Sequence, residues 1–167
     1  VLLSFIPPIF WLWFWLKEDA HPEPKKEIII VFFAGMGAVL LAIVLEKSAS
    51  EANSFFKNIL GYGADYFGLF NILAFALAEE LSKTGAAFFT ALRSKYFDEP
   101  VDAMIYLVTA ALGFAALENV LFIGDSLKSG ITESVAVSAT RFINAVLLHV
   151  ASSSIIGAGF AFSFFHK

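Results

Sequence analysis

Cysteine is absent from this 167-residue chain, which excludes disulfides and thiolate metal sites. Charge is scarce too. Asp, Glu, Lys and Arg make up 16% of the residues, against about a quarter in an ordinary soluble domain. The 11 Lys and Arg are dispersed and the net charge is −4, so the basic footprint of a nucleic-acid binder is missing. Neither a G-x-S-x-G elbow nor an H-E-x-x-H helix occurs, which argues against the best-known serine and zinc peptidase arrangements. There is no internal repeat and no low-complexity tract.

Apolar surface is what the chain has in excess. It is 59% hydrophobic with 20 Phe, and its mean hydropathy is +0.78. A chain this short cannot hide so much apolar surface from water, so lipid is the consistent solvent. The expected fold is an all-α, polytopic transmembrane helical bundle of about five spans, since about 20 apolar residues cross the hydrocarbon core. The chain opens on Val1 rather than Met, which predicts that residues preceding it were trimmed. Trp and Pro in the opening run, with no small-residue cleavage site after it, disfavour a signal peptide.

The first expected span is Val1 to Leu16, kinked at Pro7-Pro8 and anchored by Trp11, Trp13 and Trp15. The loop Lys17 to Glu27 holds His21-Pro22-Glu23-Pro24, which cannot be helical throughout. The second span is Ile28 to Leu45. Glu46 to Tyr66, with Gly61 and Gly63, reads as a polar connection whose Phe55, Phe56, Ile59 and Leu60 suit a short amphipathic surface helix. The third span is Phe67 to Leu92, the fourth Val101 to Ile123. The fifth, Ser134 to Phe165, is too long for one straight crossing, so it should tilt, protrude, or bend near Gly157 and Gly159. One domain, residues 1–167, is expected, with a catalytic core at about 67–165. Lys17, Lys25, Lys26, Arg93, Lys95 and Lys167 fall on one side, and Lys47, Lys57 and Lys128 on the other. That bias puts the first group in the cytoplasm.

Six ionisable residues fall within the spans: Glu79, Glu80, Lys83, Glu118, Arg141 and His149. Each costs roughly 2.5–3.5 kcal/mol at a bilayer centre, so together they cost on the order of 10 kcal/mol, comparable to a domain's net stability. They must meet one another or line a wet cavity. Lys83 can pair with Glu79 at i,i+4 or Glu80 at i,i+3. His149 lies at the depth of the two glutamates; Glu118 and Arg141 share a depth a few residues away. Ser152 and Ser153 follow His149 by one turn. Bland readings stand beside these: Glu118 and Arg141 as a structural ion pair, Lys83 as a charge partner, His149 as a hydrogen-bonded core residue. Adjacent glutamates are hardest to explain structurally, because like charges in a low dielectric repel. His21 and His166 lie at membrane edges and carry no signal. The chemistry this set supports is hydrolysis, with one carboxylate as base and an acid or imidazole as donor.

At these residues the chain resembles the PrsW family of intramembrane proteases, related to the CAAX-processing and bacteriocin-processing membrane proteases. The resemblance rests on Pro22-Glu23-Pro24, Glu79-Glu80-x-x-Lys83, Asp98-Glu99-Pro100-Val101-Asp102, and Gly113-Phe114-Ala115-Ala116-Leu117-Glu118-Asn119. Arg141, His149 and Gly157 follow. It covers roughly residues 22–159. The resemblance implies a prokaryotic membrane endopeptidase, of metallo or glutamic type, that cuts membrane-anchored substrates such as anti-sigma factors. By position it implies Glu79, Glu80, Glu118 and His149 as the catalytic set, with Lys83, Arg141 and Asn119 supporting. Relatives often carry histidine where this chain has Glu118, so a zinc site with several histidines is not available. Zinc, if used, would take its ligands from Glu79, Glu80, Glu118 and His149; glutamate-only chemistry is the favoured expectation. In that scheme the carboxylate nearer Lys83 stays ionised as base while its neighbour donates. The expected partners are membrane lipids and a single-span protein substrate, and the expected location is the cytoplasmic membrane. Two other classes fit buried ionisable residues. A proton-coupled transporter would need more spans or a dimer, and a non-catalytic scaffold would use ion pairs only to register its helices.

Overall fold

A computed structural model describes residues 2–17, 21–60 and 64–165 of the chain. A 3₁₀ turn, Leu2–Phe5, leads into α1 (Ile6–Lys17); α2 (Lys25–Leu60), α3 (Ala64–Thr90), α4 (Pro100–Ser126) and α5 (Ile131–Phe165) follow. No strand occurs among the described residues, and the expected all-α bundle is what forms. Gly61, Gly63, His166 and Lys167 lie outside the described residues.

The helices differ from the sequence expectations in instructive ways. Pro7 and Pro8 do not kink a span. They sit in the first turn of α1, where a missing N–H costs nothing. With 12 residues, α1 covers about 18 Å, short of the ~30 Å hydrocarbon core. Its tryptophans divide: Trp11 and Trp15 pack against the cluster of Val108, Leu112, Ala115, Val146 and Val150, while Trp13 faces outward.

The largest departure is α2. The segment from Glu46 onward is no separate surface helix but the continuation of one 36-residue helix. Nothing between Glu46 and Leu60 breaks helical geometry. There is no Gly or Pro, and the Ser48 and Ser54 hydroxyls donate back to the carbonyls of Val44 and Ser50. Phe55, Phe56 and Ile59 are exposed along that extension.

α2, α4 and α5 are each long and apolar enough to cross a membrane. α3 has 27 residues but carries Glu79, Glu80 and Lys83 in its second half, which lowers its mean hydropathy. α5 runs unbroken through Gly157 and Gly159, and Gly157 lies against the α4 backbone at Met104.

α4 is the central element, buried almost all round from Asp102 to Ala116. Its start is well defined. Pro100 occupies the first turn, and the Asp102 carboxylate accepts the backbone N–H groups of Asp98 (3.0 Å) and Glu99 (2.7 Å). Glycine decides how closely α2 approaches: a Cβ on Gly35 would fall on the backbone of Ala110, and one on Gly113 on that of Phe32. The two helices therefore touch backbone to backbone, and farther along Ala38, Val39 and Ala42 meet Phe114. Toward the N-terminal end of α4, Tyr106 hydrogen-bonds Glu23, and His21 lies 3.2 Å from Glu99. The loops before α2 and before α4 thus share one face of the bundle.

Candidate active site

Glu79 and Glu80 are successive residues on α3, about 100° apart around the axis, and so have different neighbours. Glu80 faces α5. Its Oε1 accepts Lys83 Nζ at 2.6 Å and Ser152 Oγ at 2.8 Å, and its Oε2 accepts Ser153 Oγ at 3.1 Å. Glu79 makes no hydrogen bond with a described residue. Its Oε2 stands 3.7 Å from both Lys83 Nζ and His149 Nδ1.

Lys83 is fully buried and connects the two helices. Besides Glu80 it reaches His149 Nδ1 at 2.9 Å, and it sits 4.9 Å over the Phe114 ring. An ammonium group can only donate, so Nδ1 of His149 is the acceptor and the ring's single proton resides on Nε2. That N–H points at Glu118 Oε2, 3.0 Å away. The same oxygen receives Arg141 Nη2 at 2.5 Å, while Arg141 Nε donates to Asn119 Oδ1 at 2.6 Å. Asn119 Nδ2 completes the chain at the Ser4 carbonyl, 3.5 Å away. The Arg141 guanidinium also lies 4.1 Å over Phe122.

All seven site residues expected from sequence are therefore joined. Glu79, Glu80, Glu118, His149, Lys83, Arg141 and Asn119 form one polar network across α3, α4 and α5. Lys83 stands at the centre of this network, and the open space beside it is not bounded by α5. A cavity of about 270 Å³ is lined by α2, α3 and α4, with Glu79 and Glu118 on its wall and Phe75 and Phe114 among its apolar lining. Glu80 and His149 stand behind that wall.

One lining residue was missed. Glu46 of α2 faces the same cavity, whereas the polar run it opens in the sequence suggests a connection. The signal was present: Val39, Ala42, Ile43 and Glu46 recur at helical spacing, so Glu46 continues the inner face of α2.

A helical membrane bundle with a buried carboxylate–lysine–histidine network is the class these features define. The chain belongs to the family described as PrsW family intramembrane metalloprotease, whose profile matches residues 23–167. It is 28% identical over 145 residues to Protease PrsW of Geobacillus kaustophilus, covering 87% of this chain and 57% of that protein. It is 30% identical over 115 residues to Protease PrsW of Bacillus subtilis, covering 66% and 47%. It is 32% identical over 124 residues to Protease PrsW of Clostridioides difficile, covering 73% and 49%. The chain thus spans about half the length of the curated relatives it matches. No solved structure matches it.

The family's description raises the question of a metal. Zinc favours nitrogen and sulfur donors and in catalytic sites takes three protein ligands. Here the one histidine of the network has Nδ1 against an ammonium and its Nε2 proton on Glu118. No group of three His, Asp or Glu among the described residues converges closely enough to hold a metal ion. In this arrangement the donor set does not fit zinc.

Proposed function

We propose that this chain is an intramembrane endopeptidase that hydrolyses peptide bonds of single-span, anti-sigma-factor-like membrane proteins, with Glu79 as general base. Family membership supports the reaction class, and one observation carries the choice of base. Of the carboxylates in the network, Glu79 alone lines the cavity with its oxygens free of hydrogen bonds to any described residue. Glu80 is nearer Lys83, at 2.6 Å, but its oxygens are engaged by lysine and two serines, which suits an anchor. The base is therefore Glu79 and not the carboxylate nearer Lys83.

The steps balance with this chain's residues alone. Glu79 takes a proton from a water molecule whose oxygen adds to the substrate carbonyl carbon. The His149 Nε2–H stays on Glu118 from behind the cavity wall and fixes the carboxylate that lines it. Collapse breaks the C–N bond as Glu79 returns its proton to the leaving nitrogen. Lys83 holds His149 in the tautomer that donates to Glu118, and Arg141 keeps Glu118 in place. Zinc is not required in this scheme. Residence in a bacterial cytoplasmic membrane is part of the same proposal, supported by the apolar helices and the bacterial relatives.

The test is cleavage of single-span substrates by purified wild type beside Glu79→Gln, with and without exhaustive chelation. We expect Glu79→Gln to lose about 10²–10⁴-fold in rate with unchanged helix content and melting temperature. Chelated wild type should keep its turnover. Full activity in Glu79→Gln overturns the assigned base, and activity lost on chelation and restored by stoichiometric zinc overturns the metal-independent scheme.

A further inference from the structure

Among the described residues, three carboxylates, Glu46, Glu79 and Glu118, are the only charged groups lining the cavity. The two cations of the network are committed elsewhere, Lys83 to Glu80 and His149 and Arg141 to Glu118 and Asn119. Glu118 is occupied by Arg141 and His149, and Glu79 is needed for water. Glu46 is left over. It is half-buried and makes no hydrogen bond or ion pair with any described residue. It stands where α2 leaves the apolar core, and it faces the space where the reaction would occur.

A peptide bond within a helix is shielded, so a transmembrane substrate must unwind before water can reach it. Unwinding frees backbone N–H groups that need acceptors where water is scarce. Glu46 stands on the α2 wall with Glu79 on the α3 wall, so a segment lying in the cavity meets both. We infer that Glu46 is a substrate-binding residue whose carboxylate accepts an N–H donor from the unwound segment beside the scissile bond. The donor is a backbone amide or the side chain of a Lys or Arg. Because the charged groups described in the lining are all carboxylates, acidic residues there make the worst substrates. This inference rests on the protease reading above.

The experiment takes a single-span peptide cut by the wild type in detergent and remakes it with Lys, Leu or Glu beside the mapped bond. Wild type, Glu46→Gln and Glu46→Ala are compared on each. Gln keeps an acceptor without charge, and Ala removes both. If the donor is a backbone amide, Glu46→Ala should raise KM about 10- to 100-fold on all three peptides, as for loss of a hydrogen bond to a charged group, while Glu46→Gln falls between Ala and wild type. If it is a basic side chain, the wild type should prefer the Lys peptide and both variants should lose that preference. Glu46→Ala with unchanged KM and an unchanged order of Lys, Leu and Glu peptides overturns the inference. Binding of the same peptides is read in parallel by photo-cross-linking to Glu79→Gln protein, with and without Glu46→Ala. A wild type that cuts none of the peptides defeats the protease reading alone. Glu46 is then judged by the binding arm, where weaker cross-linking with Glu46→Ala supports the inference and equal cross-linking overturns it.

Discussion

Lys83 shows how one side chain organises the site. It has no exposed surface, yet its ammonium meets Glu80, His149 and, at longer range, Glu79. Because it can only donate, it assigns the imidazole proton to Nε2 and so directs it at Glu118. Removing it should release that choice. In Lys83→Met, we expect His149 to populate the Nδ1–H tautomer, with that proton turned toward Glu79. Nitrogen-15 NMR of histidine-labelled protein checks this, and the chain's 3 histidines make the spectrum simple. Loss of the buried cation should also cost about 3–5 kcal/mol, read as a lower melting temperature. A tautomer unchanged by the substitution would show that Lys83 does not set it. The residue types and spacings of this network were legible in the sequence, because ionisable groups on apolar helices stand out. Which oxygen faces which donor was not, since adjacent residues on a helix diverge by about 100° and only the neighbouring helices decide what each one meets.

The contact between α2 and α4 places the fourth carboxylate. Gly35 and Gly113 bring the two backbones together, and that approach continues through Ala42 and Phe114 to the cavity wall at Glu46 and Glu118. A side chain at this crossing must push the helices apart. Gly113→Leu is expected to lower stability by at least about 1–3 kcal/mol and to widen the cavity. Cysteines introduced at Ala42 and Leu117 should then cross-link less readily than in the parent, and equal cross-linking would contradict the backbone contact. The extension of α2 past Leu45 was hard to read because Glu46, Lys47 and Ser48 look like the end of a span. Polarity marks where a helix leaves the apolar core, whereas a helix ends where its backbone geometry is broken.

At the scale of the whole molecule, the loops before α2 and before α4 lie together, tied by Tyr106 to Glu23 and His21 to Glu99. The excess of Lys and Arg on that face predicts that it is cytoplasmic. Single cysteines at Lys25 and Ser129, in a chain with none of its own, should be labelled from opposite sides of sealed vesicles, Lys25 from the cytoplasmic side. Labelling of both from one side would refute the topology.

Lipid as solvent, an all-helical chain and the identity of the residues needing burial together were determined by composition and periodicity alone. These are local properties: a span is set by its own hydropathy, and a charge within it must find a partner whatever the fold. The tertiary structure decided the rest. It made α4 the centre, placed the cavity against α2, committed Glu80 to α5 and left Glu46 and Glu79 free to face the open space. Those outcomes depend on helix rotation and close approach, which arise only when several helices pack at once and which no single segment encodes.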